Sequence, residues 1–404
     1  MRAQQTRRAP GSGNIRKRAD GRWEARYTAG FDERTGKQIQ KSVYGKTQKE
    51  VRQKLTKIES EIDIGAYFEP TRITTKDWLE IWLKEYSFDK KYSTLKTYRA
   101  ACESHIYPEL GRIYIHQLTT SKIQKFYNKL QNPTDDTKPL APKTVKNIHG
   151  ILRKSLTQAV KNGYININPC FDVVLPRVEK TNIKPLDDEQ VSKLLHLADE
   201  DKTYGLTMKI AVLTGMRESE VLGLTWNCVD FKFGTIMVEK QLQRRPERDG
   251  GYVFTSLKND KFRTLKPAPY VMELLLQRYY EQETQCKESK ESLGVWMGWK
   301  NETEHKEALV FTTAIGEHLN PKRMYLHFKK LAEKIGAPNA RVHDLRHTYA
   351  VLSLQNGDDV KTVQGNLGHS SAAFTLDRYG HISSRMKEES SKRMEQYVQS
   401  ILNL

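Results

Sequence analysis

"LGHSSAAFTLDRYGH" (367–381) places a tyrosine, Tyr379, ten residues behind the histidine of a Gly-His pair. Glycine at position 368 can take the left-handed conformation that closes a helix, and Ser370 or Ser371 can cap the next one. The stretch therefore reads as helix, turn and short helix, with His369 at the turn and Tyr379 at the far end. That spacing would bring an imidazole and a phenol to one point. Tyr379 is one of 19 tyrosines, and taken alone the segment reads equally well as a helix end packed into a core, so the rest of the chain must decide.

The 404 residues, 37% of them hydrophobic, suffice for two or three domains with cores of their own. No stretch approaches the roughly 20 apolar residues of a membrane helix. The N-terminus is basic and polar, without the apolar region of a secretory signal. Cys102, Cys170, Cys228 and Cys286 are scattered singly, which fits a reduced, cytoplasmic protein with neither a metal-ligand pattern nor a disulfide framework. A net charge of +18 points to a polyanionic partner. Residues 1–60 carry 16 Lys and Arg against 6 Asp and Glu, a net of +10, so more than half of the excess lies in about a seventh of the chain. Nucleic acid is the expected partner, and no membrane is.

Residues 1–13 form a basic arm. "NIRKRADGRWEARYTAG" predicts a hairpin turning at Ala19-Asp20-Gly21, with Trp23, Ala25, Tyr27 and Ala29 on one face and Arg22, Glu24, Arg26 and Thr28 on the other. A third strand is expected near 38–44, then a helix capped by Thr47 and Glu50 with Val51, Leu55, Ile58 and Ile62 along one side. A ribbon of this kind is narrow enough for a DNA major groove, which makes Arg16, Lys17, Arg18, Arg22 and Arg26 candidate DNA contacts. Residues 74–175 read as helices only: one capped by Thr74 and Asp77, one from Ser93 ended by Pro108 and Gly111, one opened by Thr119 or Thr120, and one from about Lys143 to Asn162. The last buries Val145, Ile148, Leu152 and Leu156 and has no acidic residue, so Lys143, Lys146 and Arg153, with Lys96 and Arg99 from the earlier helix, are candidate phosphate contacts. After a proline-bounded linker, Asp187 and Gln190 cap a further helix, and helices flank a strand-rich island at about 234–267.

Within that last region "LTGMRESEVLGL" (213–224), "LKNDKFRTLKP" (257–267), "HDLRHTYA" (343–350) and "LGHSSAAFTLDRY" (367–379) follow one another. An arginine box, a hairpin lysine, His-x-x-Arg, Gly-His and a tyrosine in this order resemble the tyrosine recombinase (integrase) family. The resemblance covers about residues 186–390 through these boxes, and 74–175 through architecture. It implies a multidomain fold: an arm-site domain at 1–65 built from a small three-stranded sheet plus helix, an all-α core-binding domain at 74–175, and a mainly α catalytic domain with a small antiparallel sheet at 186–404.

The residue types suit metal-free phosphodiester cleavage. Arg217 and Arg346 offer permanently charged forks for the transition-state phosphate. Glu220, three residues after Arg217, pairs with it or holds it in place. The resemblance makes Tyr379 the nucleophile, His343 the general base and His369 a hydrogen-bonding partner of the phosphate. The lysine that protonates the leaving oxygen is Lys258 or Lys261, with Lys258 at the family's usual position. Neither a Walker loop nor an acidic triad for two-metal cleavage is visible, so no cofactor and no metal are expected. The resemblance further implies a homotetramer on core and arm sites in double-stranded DNA, with an excisionase and a host DNA-bending protein as accessory partners, and an exchange helix built from Met386, Met394, Tyr397, Val398 and Ile401. Two rival readings are a type IB topoisomerase-like nicking and resealing enzyme and a non-catalytic DNA-binding regulator.

Overall fold

A computed structural model describes residues 14–31, 35–63, 72–133, 137–179, 184–245, 251–257, 262–368 and 384–402. The chain forms two compact units, Met1–Lys180 and Thr181–Leu404.

The first unit opens with an antiparallel sheet of β1 (Asn14–Lys17), β2 (Trp23–Phe31) and β3 (Gln38–Gly45), followed by α1 (Gln48–Asp63). Strand alternation turns Ile15, Trp23, Ala25, Tyr27 and Val43 towards α1, where Val51 and Leu55 are buried. The opposite face carries Arg16, Glu24 and Tyr44 in one row and Arg26 and Ser42 in the next. Lys17 stands across from Trp23, so alternation turns it to the face that bears the helix, away from the arginines. The cap of α1 closes differently from the expected box. Glu50 N–H donates to Thr47 Oγ1 at 3.2 Å, but Glu50 Oε2 accepts from Lys46 N–H at 2.9 Å, one residue upstream.

The helices of this unit begin with α2 (Thr75–Glu85), capped by the reciprocal Thr74–Asp77 bonds that the sequence predicts. Its Trp78 is fully buried and donates Nε1–H to the Ser155 carbonyl at 3.1 Å. The next helix departs from expectation. It begins at Tyr92, one residue before Ser93, and ends at Gly111 as expected, but it runs through Pro108: α3 (Tyr92–Ala101) widens into a π-turn at Cys102–Ile106 and continues as α4 (Tyr107–Leu110). A proline inside a helix lacks a donor and crowds the carbonyl four residues back. Here Tyr107 N–H reaches back five residues to Cys102, and this wider turn makes room for the ring. Thr119 caps α5 (Thr120–Gln131), and α6 (Pro142–Lys161) buries Val145, Ile148, Leu152 and Leu156. Lys96, Arg99, Lys143 and Arg153 are exposed and Lys146 half-buried.

In the second unit the expected Asp187–Gln190 box caps α7 (Asp188–Leu197). Helix α8 (Gly205–Thr214) is apolar on nearly every side and lies in the core with Met208, Ile210 and Val212 buried. A single turn, α9 (Glu218–Val221), follows. The strand island contains a sheet of β4 (Val229–Asp230), β5 (Thr235–Val238) and β8 (Arg263–Leu265), and a separate ribbon of β6 (Lys240–Arg244) and β7 (Tyr252–Ser256). Then come α10 (Pro269–Leu293), α11 (Glu302–Glu307), α12 (Pro321–Lys334), α13 (Val342–Gln355), α14 (Val360–Leu367) and α15 (Ser384–Leu402).

Candidate active site

The site is assembled around the end of α8, where Gly215 adopts φ 67° and donates its N–H to the Ala211 carbonyl. A Cβ here would lie 2.4 Å from Tyr349 Cδ1 and 2.8 Å from Leu367 Cδ2. Helices α13 and α14 therefore pack directly on the turn that leads to Arg217. Arg346, only 2% exposed, ties the three together. Its Nη1 donates to the Gly215 carbonyl at 2.6 Å and its Nη2 to the Leu367 carbonyl.

Arg217 is the N-cap of α9. Its backbone N–H donates to Glu220 Oε2 at 2.9 Å, and its Nη1 to Oε1 at 2.6 Å. The Arg217 side chain keeps 23% of its surface open, whereas that of Glu220 keeps 1%. Glu220 has a second cationic partner that the sequence reading missed. Arg263, on β8, donates Nη2 to Oε2 at 2.7 Å and Nη1 to Oε1 at 3.2 Å, and its Nε reaches the Asn366 carbonyl at 2.6 Å. Burial alone would push the Glu220 carboxyl up, but Arg263 and then Arg217 outweigh it and bring its pKa to about 2. Arg263 lies in the same segment as the candidate lysines. The one hint in the sequence was that a carboxylate with two oxygens had been given a single arginine.

His343, in the first turn of α13, keeps an open edge and meets His347 edge to face, with 4.8 Å between ring centroids. The protein around the rest of the ring, then the charges of Arg346, Arg217 and Arg341, lower its pKa from the ordinary 6.5, and Asp344 opposes them. A neutral imidazole beside two guanidiniums is a proton acceptor near neutral pH.

The structure thus gathers Arg217, Glu220, His343 and Arg346 from the sequence set and adds Arg263. Lys258, Lys261, His369, Ser370, Ser371 and Tyr379 lie outside the described residues. The chain is described up to the buried Leu257 and again from Phe262 on either side of the two lysines, and up to Gly368 ahead of His369. Gly368, φ 63°, closes α14 in the left-handed conformation as the sequence predicts, and a Cβ on it would come within 3.3 Å of the Arg263 side chain. Among the described residues no group of three or more His, Cys, Asp or Glu side chains could hold a metal ion, and no helix is long and apolar enough to cross a membrane.

The phage integrase family matches residues 184–386, and the N-terminal SAM-like domain of phage integrases matches residues 74–131. A tyrosine recombinase XerC-like protein of Caldanaerobacter subterraneus subsp. tengcongensis is 28% identical over 377 residues, 89% of this chain and 92% of its own. The ICEBs1 integrase of Bacillus subtilis is 24% identical over 95% of this chain and 99% of its own. The Tn1549 transposon integrase, solved with transposon right end DNA, shares the fold at a TM-score of 0.65 and 20% identity, over 80% of this chain and 100% of that one. The first match spans half of the sequence and contains all five of the gathered side chains, so the chain belongs to the phage integrase family and is a tyrosine recombinase.

Proposed function

We propose that the chain integrates and excises a mobile element by cutting and rejoining DNA strands at specific sites, with Tyr379 as nucleophile. The observation that best supports this is the junction at the end of α14. Arg346 holds the Leu367 carbonyl two residues before His369, while its charge and that of Arg217 both act on the His343 ring. A phosphate between the two guanidiniums would then stand beside a neutral imidazole and close to where the Tyr379 segment departs.

A phenol with a pKa near 10 is a poor nucleophile at neutral pH. His343 takes its proton as the oxygen attacks phosphorus, and Arg217, Arg346 and His369 stabilise the charge that develops on the phosphate oxygens. The bond to the 5′-oxygen breaks, and Lys258 supplies the proton to that oxygen. A 3′-phosphotyrosyl ester and a free 5′-hydroxyl remain. Attack of another strand's 5′-hydroxyl on the ester reverses the steps, with the bond energy conserved. Residues 1–65 bind arm sites, while 74–175 and 186–404 hold the core site within a homotetramer, aided by an excisionase and a host DNA-bending protein. The exposure of Met394, Tyr397 and Ile401 on α15, at 62%, 61% and 59%, supports an exchange of this helix between subunits.

A nicked duplex carrying an element end, incubated in EDTA with wild type and Tyr379→Phe, tests the chemistry. A protein–DNA band that survives SDS is expected for wild type alone. A band that persists in the Phe variant would assign the nucleophile elsewhere, and no band despite tight binding would overturn the catalytic reading.

A further inference from the structure

The outer face of the N-terminal sheet holds one carboxylate among four arginines. Glu24 lies mid-sheet on β2, opposite Arg16 on β1 and Tyr44 on β3, with Arg22 and Arg26 two residues to either side. The face is otherwise open: the side chains of Arg16, Arg18 and Arg26 are 54%, 41% and 51% exposed, against 3% for Glu24. The guanidiniums close over the acid. Glu24 Oε2 accepts from Arg16 Nε at 2.9 Å and lies 3.8 Å from Arg18 Nη1. Oε1 accepts from Ser42 Oγ at 2.8 Å and from Arg26 Nε at 3.4 Å. Arg18 and Arg22 also lie over the Tyr44 ring, 5.4 and 6.0 Å from its centroid, and Asp20 grips Arg22 at 2.8 Å.

Both Glu24 oxygens are engaged, so the residue cannot accept a hydrogen bond from a base edge without releasing an arginine. As a bare negative charge in the middle of a surface that meets phosphate, it weakens attraction. Its useful effect is on geometry. Long arginine stems sample many rotamers, and a base is discriminated only when a guanidinium arrives in a fixed plane. We infer that Glu24 is a positioning residue for sequence readout by this sheet, holding Arg16 and Arg26 in the orientation in which they meet duplex DNA. The inference rests on the reading of residues 1–65 as DNA-binding. Glu24 favours discrimination at the expense of total affinity.

The test uses the full-length chain. A random duplex pool is enriched with wild type, and a duplex is kept that the Arg16→Ala/Arg26→Ala variant no longer retains. Kd is then measured for that duplex and for its scrambled version, over a range of salt, with wild type, Glu24→Gln and Glu24→Asp. For Glu24→Gln, which adds one net positive charge, binding to the scrambled duplex should be unchanged or rise a few-fold while discrimination falls about tenfold, the order of one well-formed bidentate base contact. The salt dependence should stay at least as steep, because phosphate contacts persist. Glu24→Asp keeps the charge on a shorter arm and should recover part of the discrimination. Wild-type discrimination in Glu24→Gln would overturn the inference alone. So would a parallel loss of affinity for both duplexes with a lowered melting temperature, the mark of a residue that only supports the fold. Failure to find any duplex that depends on Arg16 and Arg26 would remove the DNA reading of the sheet, and the inference with it.

Discussion

Replacing Arg263 by glutamine probes the joint that the motifs do not reveal. The change removes two bonds to Glu220, at 2.7 and 3.2 Å, and one to the Asn366 carbonyl at 2.6 Å. It leaves a carboxylate that is 1% exposed with Arg217 as its remaining cation among the described residues. Removing one partner of a buried ion pair costs about 3–5 kcal/mol, because the other charge stays buried. Glutamine can restore a single neutral hydrogen bond worth about 1 kcal/mol, so a loss of about 2–4 kcal/mol is expected. Glu220→Gln should cost a similar amount by stranding Arg263. The double variant strands neither, and its loss should fall short of the sum by about 2 kcal/mol or more. Urea unfolding of the four proteins at pH 7, followed by tryptophan fluorescence and circular dichroism, measures the cycle. Effects that add to within about 0.5 kcal/mol would refute the shared-carboxylate argument. Adduct formation on the nicked duplex gives a second readout. With Arg263 gone, Glu220 closes on Arg217 alone and the Asn366 carbonyl loses its Arg263 donor, so the rate should fall tenfold or more under conditions where the variant is folded. An unchanged rate would confine Arg263 to stability.

Two pH dependences follow from the same site. Glu220 titrates at about 2 in the folded chain against 4.5 ordinarily, so its contribution to stability is complete above pH 4.5 and is lost as pH falls towards 2. Between pH 7 and pH 3 the stability advantage of wild type over Glu220→Gln should shrink by about 2 kcal/mol in urea unfolding, and a constant difference would sink the assignment. His343 is held below 6.5, so it is neutral and basic at pH 7, and adduct formation at subsaturating DNA should decline only beneath pH 6.5. Arg341→Gln removes a depressing charge and releases Asp344, bonded to Arg341 at 2.8 Å, so the acid limb should move upward. A limb that moves down, or a decline that already begins above 6.5 in wild type, would exclude His343 as the base.

The parts of this chain that were legible in its sequence are the ones fixed within a few residues. Caps at Thr74–Asp77 and Asp187–Gln190, the buried stripe of α6 and the two faces of β2 as far as Thr28 each follow from local spacing, and the structure contains them, whereas a register shift between Thr28 and Gly30 takes Ala29 out of the predicted alternation. The order of the boxes was legible for a different reason: five short patterns in sequence constrain a family even when each alone is weak. What could not be read depends on partners far along the chain or on a local defect. Arg263 reaches back 43 positions to Glu220, and nothing in "FRT" marks that arginine's side chain as largely covered while Phe262 and Thr264 on either side are exposed. Pro108 reads as a stop because spacing assumes four-residue hydrogen bonds, and a π-turn breaks that assumption. Alternation places Glu24 on the face of Arg22 and Arg26 without telling that longer neighbours will cover it.

Arg263 and Arg346 also explain why the boxes come as a set. A helix leaves its last carbonyls without partners inside the helix, and a positive charge is favoured at that end. In α14 the Gly368 N–H returns to Gln364 and Gly365, so Asn366 and Leu367 remain. Arg263 takes the first carbonyl and Arg346 the second, and each guanidinium carries its other bonds to the arginine box at 213–224, to Glu220 for one and to Gly215 for the other. Lysine could not replace either, because an ammonium lacks the rigid planar fork that spans two acceptors on separate elements. Each box therefore completes the backbone of another, and the segment carrying His369 and Tyr379 departs from a helix end held by both. The residues around the proposed phosphate site are fixed by the same bonds that fold it, so a change in any one arginine should disturb the position of the rest.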